Sequence, residues 1–145
     1  MKINIEQSSL HNEVEITIKC NSIDESLEKL ISSLRLYSST ISGKKDDKVY
    51  FLRPEDVFYF DTVDEKTFIY TADSVFETSL KLYEIEERFI GTSIIRISKS
   101  TVLNLIKIDY VSPLLNGRIQ TVLQNGEKVI ISRQYVSAFK NKLGL

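Results

Sequence analysis

The sequence predicts a mainly β protein, α+β overall, in which short antiparallel strands follow a small β-β-α piece. Three observations carry this. From residue 49 onward the apolar residues come in short runs broken by polar turns. Asn116-Gly117 and Asn125-Gly126 are strong hairpin signals, because two-residue type I′ turns need positive φ at both positions. One helical pattern, about Leu80 to Phe89, interrupts the strands. Short strands with tight turns make an all-β assembly.

The elements follow in chain order. Lys2–Gln7 and Glu13–Cys20 alternate at period two, with Val14, Ile16, Ile18 and Cys20 on one face. Ser8-Ser9-Leu10-His11-Asn12 lies between them, so residues 2–20 read as a hairpin. Ser22 to Glu25 has capping-box spacing, and Ile23, Leu27, Leu30, Ile31 and Leu34 follow at helical spacing, predicting a helix from about Ile23 to Tyr37. The polar run Ser38–Lys48 has no periodicity and reads as a linker. It sets a boundary between an element of residues 1–42 and a larger domain of residues 43–145.

Strands are expected at Val49–Leu52, Val57–Asp61, Thr67–Thr71 and Val75–Glu77. The helix near Leu80–Phe89 comes next, with Thr78 or Ser79 as cap and Gly91 as stop. Strands resume at Ile94–Ile97, Val102–Leu105, Ile108–Val111, Arg118–Leu123 and Lys128–Ser132, and a tail helix from about Arg133 to Leu143 closes the chain.

Composition narrows the chemistry. Apolar residues make up 42% and charged residues 27% of 145, the balance of a soluble domain with a real core. One cysteine, Cys20, excludes an internal disulfide framework and a cysteine-rich zinc site. One histidine, His11, excludes a histidine pair or cluster, and because it reads as a surface residue in a predicted turn, no usable Ser-His arrangement is expected. Neither phosphate-binding glycine motif is present. No catalysis, metal, cofactor or small-molecule substrate is expected. With no spanning or secretory stretch, a cytoplasmic protein is expected.

The net charge of −1 hides an asymmetry: residues 1–40 carry −2, residues 41–90 carry −5 and residues 91–145 carry +6. Such a split reads two ways: mutual attraction across one fold, or a face for a polyanion. Ser98, Lys99 and Ser100 lie between two apolar strands and would project from an exposed connection, which is either an ordinary polar turn or a phosphate-contacting one. Arg133, Gln134 and Tyr135 follow the last strand; Arg133 can fork onto a guanine edge, while Gln134 and Tyr135 can donate to phosphates. Lys66 stands among acids in a third turn. Three loops at one end of a β assembly can reach successive grooves of a duplex.

From about Lys48 to Leu145 the chain resembles the LytTR-type DNA-binding domains of bacterial transcription regulators. The carriers are six segments in the family's order: Arg53–Asp61, Ser79–Phe89, Ile95–Asn104, Leu115–Arg118, Leu123–Glu127 and Ile131–Tyr135. The resemblance implies an elongated stack of antiparallel sheets with one helix, whose loops enter major grooves on one side of the DNA. It puts Lys66 or Thr67 in the first contacting loop, Lys99 and Ser100 in the second, and Arg133 at the C-terminal contacting arginine. Arg118 becomes a phosphate contact, and Asn104 a residue that shapes its strand end.

Ser98 stands where many members have His, and Lys66-Thr67 lacks the His or Asn-Tyr often found there. Residues 1–42 are too short for the receiver domain most members carry, so the chain resembles the stand-alone subgroup. That implies double-stranded DNA as partner, a homodimer on paired sites, and a small membrane protein as restraint. The alternative is a protein-interaction or ligand-sensing module without DNA binding.

Overall fold

A computed structural model describes residues 1–11, 14–37 and 40–145. The elements are α1 (Glu25–Tyr37), β1 (Ile41–Lys45), β2 (Lys48–Leu52), β3 (Tyr59–Val63), β4 (Lys66–Tyr70), β5 (Val75–Thr78), α2 (Leu82–Arg88), β6 (Ile94–Arg96), β7 (Thr101–Asn104), β8 (Ile108–Pro113), β9 (Ile119–Leu123), β10 (Lys128–Ile131) and α3 (Val136–Leu143). Seven strands form one sheet in the order β2-β1-β5-β4-β3-β7-β6, and three form a second, β10-β9-β8. Every pairing is antiparallel.

The centre of the large sheet is covered on both faces, while its edge strand β2 is largely exposed. Phe60, Ile69 and Val102 face α2 and the end of α1, where they meet Leu36, Ile85 and Phe89. Leu103 faces the other way, into a second core with Ile97 just after β6 and with Leu123, Ile131 and Phe139 from the small sheet and α3. β7 is therefore buried on both sides, which explains its unbroken Val102-Leu103 apolar pair. Removal of each such side chain from water contributes roughly 1.5–3 kcal/mol.

Polar contacts hold the two sheets in a set relation. Ser132 N–H donates to Ile97 O at 2.9 Å at one end. At the other, Asn125 Nδ2 donates to Ala72 O at 3.3 Å. Tyr59 stacks on Tyr70 at 4.2 Å between ring centres. Burial first, and then the nearby Glu127 carboxylate, push the Tyr59 hydroxyl well above the usual phenol range, so it stays protonated.

Five expectations are corrected. The predicted linker is in part a hairpin: residues 41–45 and 48–52 pair through a two-residue turn, Asp46-Asp47, with φ of 52° and 61°. Aspartate tolerates this left-handed region better than most residues, so a polar pair reads as linker when it is a type I′ turn. Ser38 and Ser39 lie outside the described residues. Residues 2–20 form no strand among those described; Asn12 and Glu13 lie outside them. Only the turn is in place, His11 N–H donating to Ser8 O at 3.2 Å. A lone two-stranded hairpin is marginal in water, so alternation without a partner sheet does not suffice. The first helix is capped by Asp24, whose Oδ1 accepts from Leu27 N–H at 2.8 Å, and not by Ser22. Neither Thr78 nor Ser79 caps α2; Lys81 is its N-cap residue. At Asn125-Gly126 only the glycine has positive φ, 88°, and Gly126 N–H donates to Leu123 O, the pattern of a type I turn with a bulge rather than type I′. Asn116-Gly117, with φ of 66° and 73°, has the paired positive angles expected.

Candidate nucleic-acid interface

The β3–β4 turn, the β6–β7 loop, the segment after β10 and the β8–β9 loop lie side by side at one end of the strands. Asp64 and Glu65 form the first, with φ of 50° and 64°, and Lys66 stands exposed just after them. Thr62 N–H donates to Ser100 O at 2.9 Å, joining this turn to the β6–β7 loop. The Ser132–Ile97 hydrogen bond joins that loop to the segment carrying Arg133. Ile131 pairs with Ile119 across the small sheet, bringing the β8–β9 loop alongside. The stem of Arg133 lies over Gly117: a side-chain carbon there would stand 3.2 Å from Arg133 Cγ and Cδ. The result is a ridge running from Lys66 through Lys99 and Ser100 to Arg133, Gln134 and Arg118.

All six of these residues are exposed. The other two candidates are not free in the same way. Thr67 is 3% exposed, and its hydroxyl lies 3.2 Å from that of Thr62, so it stitches β4 to β3 and shows only an edge to the groove beside it. The ring of Tyr135 is half-buried against the second core, leaving only part of the side chain accessible. Its N–H donates to Ser132 O at 2.8 Å, closing the turn that presents Arg133.

The β6–β7 loop is held from within by a residue the sequence did not single out as functional. Arg96 Nε donates to Ser98 O at 2.7 Å, Nη2 donates to Lys99 O, and Nη1 meets Glu86 Oε2 of α2 at 2.7 Å. One guanidinium thus gathers two loop carbonyls and a carboxylate, a fork that an ammonium cannot reproduce. Thr101 Oγ1 also donates to Asp61 Oδ1 at 3.0 Å, securing the loop's return. A positive residue two before Ser98, followed by small hydroxyls, was the only local signal available. Arg96→Lys is expected to lower stability by about 1–2 kcal/mol, since at most one or two of these bonds survive. Denaturant titration checks it; a loss no greater than that of a surface lysine change would mean the fork does not hold the loop.

Beside this loop lies an open groove lined by Thr62, Glu65, Lys81, Tyr83, Lys99 and Ser100, among other residues. Its charges are mixed. Glu65 and the adjoining Asp64 offset Lys66, whereas the Arg118–Arg133 end has no carboxylate in its own loops. The positive field of the ridge therefore rises toward Arg133. Among the described residues no cluster of His, Cys, Asp and Glu could hold a metal ion, and no helix is long and apolar enough to cross a membrane.

Residues 47–144 match the family model described as the LytTr DNA-binding domain. A sensory transduction protein, LytT, of Enterococcus faecalis is 34% identical over 108 residues, which is 74% of this chain and 45% of that protein. The chain thus spans less than half of that relative. An uncharacterized HTH-type transcriptional regulator of Staphylococcus aureus is 26% identical over 147 residues, covering 100% of this chain and 99% of its own length. Among solved structures, the LytTr DNA-binding domain of a methyl-accepting/DNA response regulator from Bacillus cereus superposes with a TM-score of 0.71 at 26% identity, over 74% of this chain and 99% of that one.

Proposed function

Since the chain belongs to the LytTR DNA-binding-domain family, we propose that it is a transcription regulator that binds double-stranded DNA sequence-specifically, through loops laid into successive major grooves. The observation that carries this reading is the single ridge formed by four loops from separate parts of the chain, which gathers Lys66, Lys99, Arg118 and Arg133 at one end of the strands. Protruding loops on a rigid double sheet suit a major groove, which is about 12 Å wide. Lys99, Ser100 and Arg118 hold phosphates and set the register, and Arg133 reads a base edge, with Gln134 beside it. Among the described residues no two helices follow one another directly, since strands separate α1 from α2 and α2 from α3, which favours sheet loops over a helix-turn-helix as the contacting elements.

Selection of bound duplexes from a random pool at stated salt is the direct test. Enrichment of a common motif in two half-sites supports sequence-specific binding by two copies; a pool that stays random while still being retained would reduce the protein to a non-specific binder. Lys99→Ala is expected to lower the slope of log affinity against log salt by about 1, the share of one phosphate contact. An unchanged slope would remove Lys99 from the interface.

A further inference from the structure

The N-terminal segment is built as half of something. Residues 14–20 alternate apolar and polar, yet Val14 is 91% and Ile16 59% exposed, and so are Ile3 and Ile5 before the Ser8–His11 turn. Thr17 Oγ1 lies 3.5 Å from Glu15 Oε1, so these two polar side chains share one side of the segment. The segment is also tethered. It leads into α1, whose far end is fastened to the body by buried Leu36 and by Arg35 Nη1 donating to Gly91 O at 3.1 Å.

We propose that residues 14–20 pair antiparallel with the same residues of a second copy, about a two-fold axis through Thr17. That register is the self-complementary one. It puts Glu15 opposite Lys19 of the other copy, twice, and Thr17 opposite Thr17 on the polar face. On the other face Ile16 stands opposite Ile18 and Val14 opposite Cys20, so apolar meets apolar throughout. Opposite charges and apolar pairs across strands are the unit of sheet stabilisation, and an isologous contact closes at two copies. Shifting the pairing by one residue, so that i and its partner sum to 33 instead of 34, would set apolar Val14 against Lys19 and Glu15 against Ile18.

The test needs no DNA, so its failure is separable from failure of the DNA-binding proposal. The full chain is expected to sediment as a dimer. In a Cys20→Ser background, Thr17→Cys should oxidise almost completely to a disulfide-linked dimer. Glu15→Cys should not, because in this register the two copies of residue 15 lie about 13 Å apart, beyond disulfide reach. Glu15→Lys should weaken the dimer by about five- to thirty-fold, and adding Lys19→Glu should restore it, since the pairs are then reversed and not lost. A chain that is monomeric at all concentrations overturns the proposal; that result includes the case in which the segment pairs with the free edge of β2 in its own chain. A dimer that cross-links no better at residue 17 than at residue 15 overturns it equally.

Discussion

Asn104→Ala should lower the stability of the protein by about 3 kcal/mol and its Tm by roughly 10 °C, more than any loop substitution. Asn104 is fully buried at the end of β7. Its Nδ2 donates to Val57 O at 2.8 Å and Pro54 O at 3.3 Å. Its Oδ1 accepts from Ser93 Oγ at 3.0 Å and from Ile106 N–H at 3.4 Å. One amide therefore joins the segment before β3, the start of β6 and the turn after β7. Truncation strands the Val57 and Pro54 carbonyls, whose bonds to the amide are buried, and each stranded group costs about 1–3 kcal/mol. Asn104→Asp should be worse, because a carboxylate cannot donate to two carbonyls and would face them with charge. Thermal and urea unfolding measure both. At a temperature where the variant remains folded, DNA affinity should be unchanged, because the side chain has no exposed surface. A loss below about 0.5 kcal/mol would mean the network contributes nothing net.

Arg133→Ala should weaken binding to a selected site by about 1–3 kcal/mol, roughly 5- to 150-fold, and relax the base preference at one position of each half-site. The reason lies in its setting. The guanidinium stem rests over Gly117, and the backbone on either side is held by the Ser132–Ile97 and Tyr135–Ser132 hydrogen bonds. Such a preorganised arginine loses little freedom on forming two bonds to a guanine edge. Lysine at 133 should keep the charge and most of the salt dependence but not the base preference. Competition with duplexes changed at single positions measures this. A uniform weakening across all sequences would make Arg133 a phosphate contact instead.

Local signals sufficed for much of the architecture. Short apolar runs bounded by turn residues located nine of the ten described strands, and helical spacing located the first helix, because burial leaves a mark in every few residues. The missing strand, β1, has Ser42, Gly43, Lys44 and Lys45 after a single buried Ile41, a composition that shows nothing apolar to count. Gly43 is there for space: a side chain at this point would clash with Phe76 Cβ at 2.7 Å, which lies 33 residues away. The error at residues 2–20 is of the opposite kind. The alternation is genuine, but a strand exists only where another strand accepts it.

The sequence by itself determined the class of the fold, the family, the basic C-terminal part and the polar loops between strands, because these are properties of residue type and short spacing. Tertiary structure alone decided which loops share one end. It aligned residues 64–66, 98–100, 115–118 and 132–134 through a few hydrogen bonds and one strand register. It also withdrew Thr67 into the sheet and set Arg96 inside a loop it does not itself extend. Those outcomes depend on pairings between residues dozens of positions apart, and a strand's own pattern specifies which face is buried but not which partner buries it.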